Sequence, residues 1–235
     1  MPRIARYVEA DGYYHVISRS INQTWILKDS EDFARFRQLA REAKQQFPIR
    51  LRHYVLMNTH FHFVLQVVTP EFLAQHLAHV KWHYTQWMRK KYRWRGPLWR
   101  ERYKSLPIEN ETYLAACGRY VEFDPVRAGL CRDPADYPHS SARVYQHGAT
   151  DDLVDPYPCA LVELVVGELD YTLSTATQVF SRSPAIGSSF FIEAHRRRTL
   201  TVTSCQMTAG GAQSAEVGDA GTDALRAFLH EDPED

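Results

Sequence analysis

The sequence predicts an α+β fold, an antiparallel β-sheet with helices packed on it, and three observations carry that expectation. Apolar residues recur at helical spacing in three long stretches. Between these stretches lie runs rich in Tyr, Val, Ile and Phe, the composition of strands. Two such runs are separated by only two residues, which joins them as an antiparallel pair. At 235 residues, 44% of them hydrophobic and 24% charged, the chain is long enough for one core plus an appendage.

The elements follow in order. Residues 12–18 mix Tyr13, Tyr14, Val16 and Ile17 and open the domain as a strand. Over 30–47, Phe33, Phe36, Leu39, Ala40 and Ala43 mark a helix, with Ser30 as expected N-cap, Glu31 and Asp32 in the first turn and Pro48 as the stop. Strands at 50–57 and 60–68 meet at Asn58-Thr59, a hairpin turn. Pro70 opens a second long helix to about Tyr92, and Gly96-Pro97 marks the turn into a compact segment ending near Ile108. A third helix over 110–123 runs up to Pro125. The expected organisation is a body at 1–147, an extension at 148–203 that still holds enough Leu, Val and Phe to fold or pack, and a flexible tail at 204–235. The tail is mostly Gly, Ala, Ser and Thr over 204–223, too little apolar surface to offset ordering entropy, with one short helical turn expected at 224–229.

Lys+Arg and Asp+Glu each total 28, which excludes a wholly basic coat for nucleic acid but not a local basic face. No apolar run approaches the roughly 20 residues of a membrane span, and no apolar segment follows the basic start Met1 to Arg6. Cys117, Cys131, Cys159 and Cys205 show no paired spacing and read as free thiols. The expected location is the cytoplasm.

Three clusters could carry chemistry. In His60-Phe61-His62 the histidines share one strand face and Phe61, Phe63 and Leu65 the other. Two imidazoles about 6.5–7 Å apart along a strand can converge on one metal, or simply hydrogen-bond on a solvated sheet face. Tyr120 and Asp124 lie four apart, on one face of the third helix near its end. There a phenol can reach a substrate beside a carboxylate ligand; equally, Tyr120 can be a half-buried aromatic and Asp124 a turn residue. Between residues 81 and 104, Lys81, Arg89, Lys90, Lys91, Arg93, Arg95, Arg100, Arg102 and Lys104 face the single acid Glu101, interleaved with Trp82, Tyr84, Trp87, Tyr92, Trp94, Trp99 and Tyr103. Cations neutralise phosphates and flat aromatics stack on unpaired bases, at about 1–3 kcal/mol each, although some of these rings must also pack in the core.

Taken together the clusters resemble a known family. Met57-Asn58-Thr59-His60-Phe61-His62-Phe63-Val64-Leu65 resembles the His-hydrophobic-His strand of the single-tyrosine HUH (IS200-like) transposases, and the run from Tyr120 to Leu130, YVEFDPVRAGL, resembles the helix carrying their catalytic tyrosine. The start Met1 to Arg6, the tract from Gly96 to Ser105 and the segment Asp136 to Ala142 resemble the REP-associated branch, transposase relatives found with extragenic palindromes. The resemblance spans about residues 1–147. It implies a ferredoxin-like or RRM-like core, Tyr120 as nucleophile, and His60 and His62 as ligands of a divalent metal, Mg²⁺ or Mn²⁺. Relatives usually carry Asn or Gln where this chain has Asp124, and a carboxylate can also ligate such ions. The implied partner is single-stranded DNA beside a hairpin, cleaved through a 5′-phosphotyrosine link by a monomer or homodimer. Two rival readings are a DNA-binding module without cleavage, and a hydrolase in which the histidines activate water; the latter leaves Tyr120 and the basic aromatic segment without a role.

Overall fold

A computed structural model describes residues 8–156 and 183–195. The expected tail at 204–235 and the central part of the extension lie outside the described residues. Strand β1 (Tyr13–Arg19) is followed by α1 (Ser30–Gln46), β2 (Ile49–Met57), β3 (His60–Val67), α2 (Pro70–Tyr92), β4 (Lys104–Ile108), α3 (Glu111–Glu122), α4 (Asp124–Arg127) and α5 (Ala142–His147). The four strands form one antiparallel sheet in the order β2-β3-β1-β4, the expected α+β arrangement.

Alternation along the strands gives the sheet two apolar faces. Tyr14 and Val16 of β1, Tyr54 and Leu56 of β2, and Phe61, Phe63 and Leu65 of β3 pack with Phe36 and Leu39 of α1 and Leu77 and Tyr84 of α2. The opposite face holds Ile17, Val55, Val64 and Leu106, covered by Leu114, Cys117 and Val121 of α3. The sheet is therefore the middle layer of three, and the histidine face, for which a solvated surface was one of two readings, lies under α3. A register shift between Leu51 and His53 makes the second layer possible. One extra residue there flips the alternation, so that Tyr54 and Leu56 point to α1 while His53 and Val55 point to α3.

Local chemistry fixes the helix ends. Asp29, not Ser30, caps α1: its side chain accepts from the Asp32 backbone N–H at 3.0 Å. Lys91 and Tyr92, at the end of α2, hydrogen-bond Asp29 and Asp32 and tie the two helices together. Asn110 caps α3 through the Tyr113 N–H. Beyond α5 the chain returns over the body: Asp151 pairs with Arg37, Leu153 joins the core, and Asp155 meets Lys44 and the Leu51 N–H. Ile186 pairs with the end of β4. No described helix is long and apolar enough to cross a membrane.

Buried histidines couple this packing to pH. Burial holds His76 of α2 down to about 4 and His139 down to about 4. Both are neutral in the folded chain where an unfolded histidine, near 6.5, takes up a proton. The unfolded state thus binds more protons between roughly pH 6.5 and 4, and stability is full above that window and falls as pH drops through it. Denaturant unfolding is expected to show stability falling between pH 7 and pH 4.5. His76→Leu should flatten that slope by about one proton.

Candidate metal and tyrosine site

The site is assembled by sheet register and by the junction of two helices. Antiparallel pairing sets Ile17 opposite His62 and Arg19 opposite His60, so β1 and β3 present His15, Arg19, His60 and His62 to one side. Tyr120 lies in the last turns of α3. Phe123 closes that helix and Asp124 starts α4, with Pro125 at a first-turn position where its missing N–H costs nothing. The chain thus resumes as a short helix where sequence placed only a helix end.

His60 Nε2 lies 2.9 Å from Asp124 Oδ2, and His62 Nε2 lies 3.8 Å from the same oxygen. One ligand atom from each of the three residues lies within 4.8 Å of the other two. Asp124 Oδ1 accepts from the Arg127 guanidinium at 3.0 Å. Burial pushes the Asp124 carboxyl up, but the His60 hydrogen bond and the charges of His62, His60 and Arg127 outweigh it and hold it well below the usual carboxylate range. Burial drives His62 well below the ordinary histidine value, and His15, His60 and Arg19 add to the effect against Asp124. A neutral imidazole is the form that offers a lone pair to a metal.

Several neighbours were not anticipated from the sequence. His15, fully buried on β1, places Nε2 at 2.8 Å from His62 Nδ1, the usual way of fixing a ligand's tautomer and ring. The Tyr120 ring packs edge-on against His15, with centroids 6.5 Å apart, and beneath the Arg127 guanidinium at 4.0 Å. Arg127 also donates to the Tyr120 carbonyl. The sequence signals were present: His15 shares a strand face with Ile17, and Arg127 is three residues beyond Asp124. Tyr120 itself is only 7% exposed.

Behind the site, α3 is fastened to β2 by a buried polar group. His53 Nδ1 lies 2.8 Å from Glu122 Oε1, which also accepts from Ser141 Oγ at 2.7 Å. Gly118 permits this approach, since a Cβ there would sit 2.3 Å from the His53 ring.

The basic segment divides. Arg89, Lys90, Arg93, Arg95, Arg100, Arg102 and Lys104 are exposed. Lys91 is bound to Asp29, Glu31 and Asp32, and Lys81 lies over Trp99 and donates to the Glu101 carbonyl. Tyr84 and Tyr103 are core residues, Trp87, Tyr92, Trp94 and Trp99 pack partly against the core, and Trp82 stands 59% exposed. Lys81, Trp82, Arg89, Trp99 and Arg102 line one groove along α2.

A three-layer α+β body with a His-His-carboxylate cluster, an adjoining tyrosine and a basic flank defines a class of enzyme that acts on DNA. Residues 9–124, about half of the chain, match the family described as "Transposase IS200 like". Among solved structures it is similar to a REP-associated tyrosine transposase bound to a REP hairpin, at 19% identity and a TM-score of 0.54, covering 66% of this chain and 94% of that one. That likeness shows a shared fold. A Deinococcus radiodurans protein provisionally described as a transposase also matches, at 22% identity and a TM-score of 0.36 over 52% of this chain and 96% of its own. No curated protein sequence matches.

Proposed function

We propose that the protein is a metal-dependent single-stranded DNA endonuclease and transposase that cleaves and rejoins DNA beside hairpins through a 5′-phosphotyrosine intermediate, working in the cytoplasm on palindromic repeats. The observation that carries this reading is the convergence of His60, His62 and Asp124 within 4.8 Å, with Tyr120 packed against His15, the partner of His62. The hairpin bound by the solved relative supports the same class of substrate.

The donor set, two imidazole nitrogens and one carboxylate, fits Mn²⁺ or Mg²⁺. His60, His62 and Asp124 would hold such a cation, which would supply Lewis-acid polarisation of a phosphate and offset charge that builds up in transfer. The protein's own residues do the rest. Tyr120 must lose its proton as its oxygen attacks phosphorus. The new bond joins Tyr120 to the 5′ phosphate, the bond to the 3′ oxygen breaks, and that oxygen leaves as a hydroxyl after taking a proton. One phosphodiester replaces another, so reversal rejoins the strand without an added energy source. Arg127, over the Tyr120 ring and bonded to Asp124, is placed to offset phosphate charge. The exposed cations of the 81–104 segment, together with Trp82, supply backbone and stacking contacts.

The low exposure of Tyr120 favours the rival reading, a DNA-binding module without cleavage. Labelled single-stranded oligonucleotides bearing a hairpin separate the two on denaturing gels. A covalent band is expected with Mn²⁺ or Mg²⁺ and should vanish with EDTA; binding without any band in either metal supports the rival. His15→Ala should weaken Mn²⁺ affinity by about 10–100-fold by calorimetry, since it frees the His62 ring without removing a ligand.

A further inference from the structure

Beside the metal cluster lies a second feature, a cleft of about 570 Å³ lined by Arg19, Ser20, Asn22, Gln23, His60 and Arg100. Its size is within the range of small-ligand pockets, about 300–1,000 Å³. The backbone builds it from two segments running side by side. Arg100 N–H donates to the Arg19 carbonyl at 3.0 Å, Ser20 pairs with Trp99, and the Ser20 N–H donates to the Thr59 carbonyl at 2.8 Å. Arg19 is the strand partner of His60, so the cleft adjoins the cluster directly.

Two observations point to a ligand. Neither Arg19 nor Arg100 has an acidic partner among the described residues, unlike Lys91, Arg37 and Arg127, and both are exposed. Ser20 is only 2% exposed, yet its hydroxyl at the cleft wall has no hydrogen-bond partner. A buried hydroxyl left unpaired is destabilising, and a ligand oxygen would satisfy it. Two guanidiniums and a hydroxyl are all donors, a set suited to an anion with several acceptor oxygens. The exposed amides of Asn22 and Gln23 add both donors and acceptors at the rim, the pattern that reads a base edge.

We propose that this cleft is a nucleotide subsite for the single strand next to the reacting phosphate, in which Arg19 and Arg100 clamp one backbone phosphate and Ser20 Oγ donates to the same nucleotide. This rests on the reading of the site as one that acts on single-stranded DNA. The cleft then sets which phosphate of the strand reaches the cluster.

The test is a binding scan in the Tyr120→Phe background, which keeps the DNA intact. Oligonucleotides with a hairpin and a single-stranded flank on either side carry one methylphosphonate at successive positions. One position is expected to cost about tenfold or more in affinity, the scale of a charge-assisted hydrogen bond. In Arg19→Ala/Arg100→Ala that position should become silent, and the slope of log affinity against log salt should fall by about 0.7, the single-strand value for one phosphate. Ser20→Ala should weaken binding without changing the slope or lowering Tm. A scan with no sensitive position, or one whose sensitive position persists in the double variant, overturns the proposal. Adduct formation by the wild type reads the cleavage claim separately, since the scan needs no cleavage.

Discussion

Tyr120→Phe is expected to abolish covalent DNA adduct and strand cleavage, a fall of at least about 10³-fold, or about 4 kcal/mol of barrier. Binding of the same oligonucleotide should change by less than about threefold. The separation follows from what the side chain does. The ring fills space against His15 and beneath Arg127, and phenylalanine fills it equally well. Only the oxygen is lost, and with it the nucleophile. Equal loss of binding and cleavage would instead assign Tyr120 to packing. Single-turnover cleavage alongside fluorescence anisotropy distinguishes these outcomes.

The second large effect is on stability. Glu122→Ala is expected to destabilise the protein by about 3 kcal/mol, because it strips His53 and Ser141 of a shared buried partner. For a folded body of this size that corresponds to a fall of roughly 6–12 °C in Tm. Glu122→Gln keeps an acceptor in place and should recover most of the loss. Because Glu122 lies two residues beyond Tyr120 on α3, the alanine variant should also lower cleavage more than binding. Calorimetry of the three proteins checks the order wild type, Gln, Ala; an alanine variant with unchanged Tm would show that α3 is held by its apolar face alone.

Local signals made much of the fold legible. Asn58-Thr59 between two apolar runs gave the hairpin, and Pro70, Pro48 and Asn110 lie at real helix ends. What sequence could not supply was long-range. The insertion of β1 between β3 and β4 depends on pairing across distant segments. Alternation around His62 assigns it to a face but does not say that α3 covers that face. The register shift at Leu51/His53 leaves no mark in composition, yet it decides which way Tyr54 and His53 point. At the capping position, Asp29 and Ser30 are chemically equivalent candidates, and the bond to the Asp32 N–H selects the first.

The same contrast holds at the site. His60, His62, Tyr120 and Asp124 could each be singled out from spacing, and the structure brings the first, second and fourth together with Tyr120 alongside. Arg127 and His15 were legible only in retrospect, because their importance comes from whom they touch. Counting charge along the chain could not separate Lys91, neutralised by Asp29, Glu31 and Asp32, from Arg100, which has no acidic partner among the described residues.

The most direct measurement is peptide mapping by mass spectrometry after incubating the protein with Mn²⁺ and a hairpin oligonucleotide, followed by nuclease digestion. A nucleotide mass is expected on the phenolic oxygen of Tyr120, attached through a 5′ phosphate. An adduct on another residue, or cleaved DNA with no adduct on the protein, would contradict it.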